Sequence, residues 1–106
     1  MNTSPIYALR ERKRNEVINL LREDANRLRA SDRGLQLWLI GSYAIGNWDT
    51  FSDVDVVCVS DVAYAETDFK TSDQYPMDIF SLNDVEFKQR LSGDIFSQSI
   101  SKGVKL

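Results

Sequence analysis

The run LQLWLI, Leu35 to Ile40, is closed by Gly34 on one side and Gly41 on the other, and no other stretch constrains the fold as tightly. A segment this apolar and this short reads as a core strand. In a chain of 106 residues such a strand needs strand partners and a helical cover, so one layered α+β domain over residues 1–106 is expected. Two partners are legible downstream. Asp53 to Ser60 alternates like a second strand, and Tyr75 to Phe80 (YPMDIF) reads as a third, with Pro76 tolerable only near its start or at a sheet edge.

The cover is legible too. From Ser4 or Pro5 to about Ala30 one long helix is expected, with Pro5 in its first turn after a serine cap. Val17, Leu20, Leu21, Ala25 and Leu28 recur on one face of it, and Ser31-Asp32-Arg33-Gly34 ends it. Asp84–Leu91 and Ile95–Ser101 read as two further helices split at Ser92-Gly93, with Gly103 as a stop. Residues 42–47 can hold at most a short helix, Asn47 to Thr50 is turn-like, and the polar stretch Glu66–Gln74 reads as an excursion.

The chain contains no histidine and a single cysteine, Cys58. Histidine-dependent hydrolysis, histidine phosphotransfer, ordinary zinc clusters and an intrachain disulfide are therefore excluded. No run is long and apolar enough for a membrane span, and the opening MNTSPIYALRERKR lacks the apolar core of a secretory signal, so a cytoplasmic protein is expected. The net charge of −3 is unevenly spread. Arg10, Arg12, Lys13, Arg14, Arg22, Arg27, Arg29 and Arg33 crowd the first third, where Glu11, Glu16 and Glu23 offer helix-surface partners. This reads as a solvated helix face and not as a nucleic-acid surface. Trp38 and Cys58 read as core, while Trp48 and Tyr43 lie near the Gly41 turn, where either could line a ligand pocket but needs no such role.

The chemistry lies in GSYAIGNWDTFSDVDVV, Gly41 to Val57. On a strand Asp53 and Asp55 share one face and Val54 and Val56 the other. Two neighbouring carboxylates repel unless a cation lies between them, and a hard divalent ion with oxygen ligands is the natural remedy. An exposed strand edge would give the same letters. Gly41-Ser42, directly after a core strand, lets backbone approach a ligand and offers a hydroxyl and N–H groups to a phosphate, and Gly46 allows a second tight bend. A glycine-serine pair alone is equally an ordinary turn. The conjunction of the two elements is what brings triphosphate and metal together, as nucleotidyl transfer requires.

Gly41-Ser42, ten intervening residues and Asp53-Val54-Asp55 resemble the GSx10DxD signature of the polymerase-β-like nucleotidyltransferase superfamily, and GSYAIG…SDVDVV is similar to its minimal members. The likeness covers Leu35 to Phe80, and the ending ISKGVKL shares it. The resemblance implies a small mixed sheet flanked by helices. It further implies that Asp53 and Asp55 hold two Mg²⁺ ions, that Asp78 in YPMDIF completes one site and serves as or assists the base, and that Gly41, Ser42 and Gly46 form the nucleotide cradle for ATP. One departure stands out: such proteins often read GSxARG, and here Ile45 replaces the arginine. Lys70, Lys88, Lys102 and Lys105 are the candidates to supply the missing charge.

Small proteins of this type resemble the antitoxin halves of toxin–antitoxin pairs whose partner is a HEPN ribonuclease. The resemblance implies transfer of AMP from ATP to a tyrosine of that toxin, with the basic first helix available to the toxin or to self-association. Two alternatives remain open: a binding module that blocks its toxin by occlusion, to which Ile45 points, and a subunit that modifies a small molecule.

Overall fold

The computed structural model describes residues 5–46 and 52–106. Ser4, Trp48 and the turn expected at 47–50 lie outside them. In chain order the elements are α1 (Pro5–Arg29), β1 (Gln36–Ile40), α2 (Gly41–Ile45), β2 (Val54–Val59), β3 (Met77–Leu82), α3 (Asp84–Leu91), α4 (Asp94–Lys102) and β4 (Val104–Lys105). Two 3-10 turns, Glu66–Asp68 and Lys70–Asp73, lie in the expected excursion. The strands form one mixed sheet in the order β3-β2-β1-β4. β2 and β3 are parallel; β1 is antiparallel to both β2 and β4.

Alternation along the strands divides the core between the two faces of the sheet. Leu37, Leu39, Val54, Val56 and Cys58 face α1, which buries Val17, Leu21, Ala25 and Leu28 against them. Trp38, Val57, Val59 and Leu82 face the opposite way and are closed over by α3 and α4 through Phe87, Phe96 and Ile100. The Trp38 and Phe87 rings stack at 5.1 Å. Ile18 is buried in place of Leu20, which is only half-buried: the stripe on α1 is rotated slightly from its expected axis. α3 begins with a reciprocal capping box. The Asn83 side chain accepts from the Glu86 N–H at 2.8 Å, and the Glu86 carboxylate accepts from the Asn83 N–H at 3.0 Å.

Two elements depart from expectation. β3 starts at Met77 and runs on through Ser81 and Leu82, two residues later than YPMDIF, because its ladder to β2 begins only after Pro76 has turned the chain. β4 was not expected. Gly103 stops α4, and the chain then enters the sheet as a second neighbour of β1, pairing Val104 with Leu39. A Cβ on Gly103 would stand 2.8 Å from the Leu39 carbonyl oxygen, so only glycine fits where the chain crosses β1.

Parallel neighbours require a long crossover, and residues 60–76 supply it on the α1 side of the sheet. Asp24, 2% exposed, pins it there. Its carboxylate accepts from the Lys70 and Thr71 N–H groups at 3.0 Å each and from the Thr71 hydroxyl at 2.6 Å, and it pairs with Arg27 at 3.0 Å. Burial pushes the Asp24 carboxyl up, but the bonds from Thr71, Arg27 and Lys70 outweigh it and hold it below its ordinary 3.8. A carboxyl so depressed contributes stability that is present above its unfolded value and is lost as pH falls through the folded one. Asp24→Asn turns an amide N–H₂ toward those donors and is expected to cost about 1–3 kcal/mol by chemical denaturation at pH 7. The penalty should shrink below pH 4; a pH-independent penalty would show that the charge plays no part.

The basic residues of α1 are not merely a solvated face. Arg27 also donates to the Asp68 carbonyl at 2.7 Å, and Arg29 donates to the Leu35 carbonyl at 3.0 Å and the Leu106 carbonyl at 2.7 Å. Arg14 reaches α2, as described below. At the far end of β2, Ser60 and Tyr64 donate their hydroxyls to the Asp32 carboxylate and tie the turn after α1 to the start of the crossover. Among the described residues no helix is long and apolar enough to cross a membrane.

Candidate active site

Three pieces of chain meet where β1 ends and β2 and β3 begin. Ile40 pairs with Asp55, and Asp55 in turn pairs with Asp78. Asp55 and Asp78 are thus direct register neighbours on parallel strands. Alternation puts them on the α3–α4 face, since Val54 and Val56 point to α1 and Val57 and Val59 to the opposite side. Asp53 immediately precedes β2 and is exposed, as is Asp78; Asp55 is half-buried.

The electrostatics follow from this placement. Burial, and then the negative charges of Asp78 and Asp53, push the Asp55 carboxyl above its ordinary 3.8. The three carboxylates share one sheet end without closing into a cage: among the described residues no group of three His, Cys, Asp or Glu side chains stands ready to hold a metal ion. The donor set itself, carboxylate oxygens from two adjacent strands with the innermost one reluctant to ionise, suits a hard divalent cation.

α2 follows β1 without an intervening residue and brings the glycine-serine pair to the same place. Gly41 takes φ +76°, and a Cβ built on it would lie 2.5 Å from Oδ2 of Asp55. Two properties of glycine are therefore used at once, the left-handed backbone and the missing side chain. Gly46, at φ +85°, closes α2 in the left-handed conformation and donates its N–H to the Ser42 carbonyl at 2.9 Å. Among the described residues a Cβ on Gly46 would meet nothing within 4 Å, and its positive φ is what calls for glycine.

The other residues singled out in the sequence divide: Cys58 is core, as expected, and Tyr43 is core as well. Tyr43 does not face a nucleotide. It is 5% exposed, packed among the α1-side core residues with its ring edge-on to Tyr75 at 6.3 Å. Cys58 is fully buried, and burial pushes its thiol up to about 12, which leaves it inert. Of the four lysines that could supply the missing charge, Lys88 pairs with Asp84 at 3.1 Å and Lys105 sits 5.5 Å over the Trp38 ring. Lys70 belongs to the crossover pinned by Asp24. Lys102, in contrast, lines a cleft of about 180 Å³ between α2 and α4 together with Gly41, Ile45 and Ile95. Ile45, which replaces the arginine, is 56% exposed.

One functional candidate had no signal in the letters. Arg14 on α1 donates through Nε to the Tyr43 carbonyl at 2.9 Å and through its terminal nitrogen to the Ala44 carbonyl at 2.8 Å, capping α2 across some thirty residues of chain.

A mixed sheet whose second and third strands carry paired aspartates, with a glycine-serine turn abutting them after the first, is the architecture of a nucleotidyl-transferring domain. The nucleotidyltransferase domain family matches residues 18–100, most of the chain, and the protein belongs to that family. No curated protein and no solved structure matches it.

Proposed function

We propose that the protein transfers AMP from ATP to a tyrosine hydroxyl of a partner protein, a HEPN-type ribonuclease toxin that it thereby silences in the cytoplasm. The observation that carries the transfer chemistry is the Asp55–Asp78 register beside Gly41, whose vacant Cβ position leaves room for the Asp55 carboxylate. In this reading Asp53, Asp55 and Asp78 hold Mg²⁺, and Gly41 and Ser42 receive the triphosphate, with Gly46 fixing the end of the cradle. When bound at these carboxylates, Mg²⁺ would supply Lewis-acid polarisation of the phosphate and neutralisation of the charge on the leaving group, with two ions implied by the resemblance. The protein's own groups do the rest. Asp78, exposed at the strand end, is the group able to take the proton of the incoming hydroxyl, and Lys102 in the cleft beside Gly41 offers the positive charge that Ile45 does not. The acceptor and the HEPN partner come from the resemblance described above; the family match supports nucleotidyl transfer itself.

One observation favours a second reading. The exposed isoleucine at the position of the motif arginine offers no charge to a triphosphate, so an antitoxin that acts by occlusion alone is the alternative. Incubating the purified chain with Mg²⁺, α-labelled ATP and the product of the neighbouring gene separates the two. Label on a tyrosine of the neighbour is the expected result. Neutralisation of the neighbour without label would establish occlusion, and label on an added small molecule alone would overturn the protein-acceptor assignment.

A further inference from the structure

α2 is only five residues long, too short to hold its shape by its own hydrogen bonds. Its carboxyl end leaves carbonyls that need partners. The Ser42 carbonyl is taken by Gly46, and the next two, those of Tyr43 and Ala44, are taken by the single guanidinium of Arg14. A guanidinium offers its N–H groups as a planar fork, so two bonds to successive carbonyls fix direction as well as distance, and a cation at that end also opposes the helix dipole. α1 is in turn anchored, by Asp24 to the crossover and by Arg29 to the Leu35 and Leu106 carbonyls.

We propose that Arg14 is a positioning residue for nucleotide binding: by bolting the carboxyl end of α2 to α1 it holds the amino end, Gly41-Ser42, against Asp55. Position 45 carries no cation on α2 itself, and the guanidinium that organises this segment arrives from a different helix. Arg14 is half-buried, with Nε and one terminal nitrogen directed at carbonyls of α2, so its part is to shape the cradle. The proposal rests on Gly41-Ser42 being the triphosphate cradle.

The test uses the full chain with Mg–ATP as the probe and compares wild type, Arg14→Ala, Arg14→Lys and, as a control, the exposed Arg12→Ala. Affinity is read by calorimetry and local order by amide hydrogen exchange. Arg14→Ala is expected to weaken Mg–ATP binding at least tenfold and to speed exchange of the Gly46 amide by a similar factor, while the amides of β1 and β2 keep their protection. Arg14→Lys should recover part of the affinity, because an ammonium can serve one carbonyl but not both, and Arg12→Ala should match wild type. Affinity within twofold of wild type in Arg14→Ala, or a loss that merely tracks a general loss of protection across β1 and β2, overturns the proposal. Wild type that binds no Mg–ATP would instead bring down the cradle assignment and the proposal with it, an outcome distinct from the failure of Arg14 alone.

Discussion

Asp55→Asn is expected to abolish nucleotidyl transfer, by on the order of 10³-fold or more, while raising the thermal midpoint of the metal-free protein. The second effect comes from burial and from two neighbouring carboxylates. Burial and the charges of Asp78 and Asp53 hold the Asp55 carboxyl above its ordinary value. A carboxyl raised in this way contributes stability that is fully present below its unfolded value and is lost as pH rises through the folded one. Once ionised, Asp55 therefore works against the fold, and an uncharged isostere relieves that. Added Mg²⁺ or Mn²⁺ should stabilise wild type, since a ligand that binds only the folded state shifts its midpoint, and should do so far less in the variant. Thermal denaturation with and without cation, paired with a transfer assay, reads both arms. Full activity in Asp55→Asn, or in the double variant with Asp53→Asn, would refute the metal assignment.

Gly41→Ala should be nearly as damaging for a different reason. An L-residue at φ +76° costs about 1–2 kcal/mol in backbone energy. The new methyl carbon would also stand 2.5 Å from Asp55 Oδ2. Because that oxygen is the end of a side chain, it can swing aside, so the fold survives and the carboxylate is displaced. A misplacement of about 1 Å at a reacting centre lowers the rate by roughly 10²-fold, and a loss of that size is expected here. The loss should be far less than additive with Asp55→Asn, because both changes remove the same carboxylate from its place. Strictly additive effects in the double-mutant cycle, or wild-type kcat/KM in Gly41→Ala, would show that the close approach is incidental.

Features carried by local pattern were legible in the sequence. The periodic stripe of α1, the glycine-bounded β1, the alternation of β2 and the helices on either side of Gly93 stand close to where the letters put them. What escaped notice depends on contacts distant in the chain. β4 is two residues long and becomes a strand only because β1 has an unpaired edge beside it. Arg14 looks like any helix-surface arginine, for backbone carbonyls leave no mark in sequence. Tyr43 looks like a cradle residue until α1 covers it. Asp24 did leave a trace: it stands three residues after Leu21 and four before Leu28, on the buried stripe, where a carboxylate needs partners. For the site, the spacing of Gly41-Ser42 and Asp53-Val54-Asp55 was visible, but the pairing of Asp55 with Asp78 is a property of sheet order, and that order is set by the crossover.

The crossover also governs when the protein can become competent. Its two aspartate-bearing strands are separated by the whole of residues 60–76, so their pairing carries a loop-closure cost that no helix has to meet. A polypeptide still emerging from the ribosome can display its glycine-serine turn and Asp55, yet it has no opposing carboxylate until Met77–Leu82 has been released and docked. On the function proposed above, the site is therefore complete only once β3 has docked beside β2.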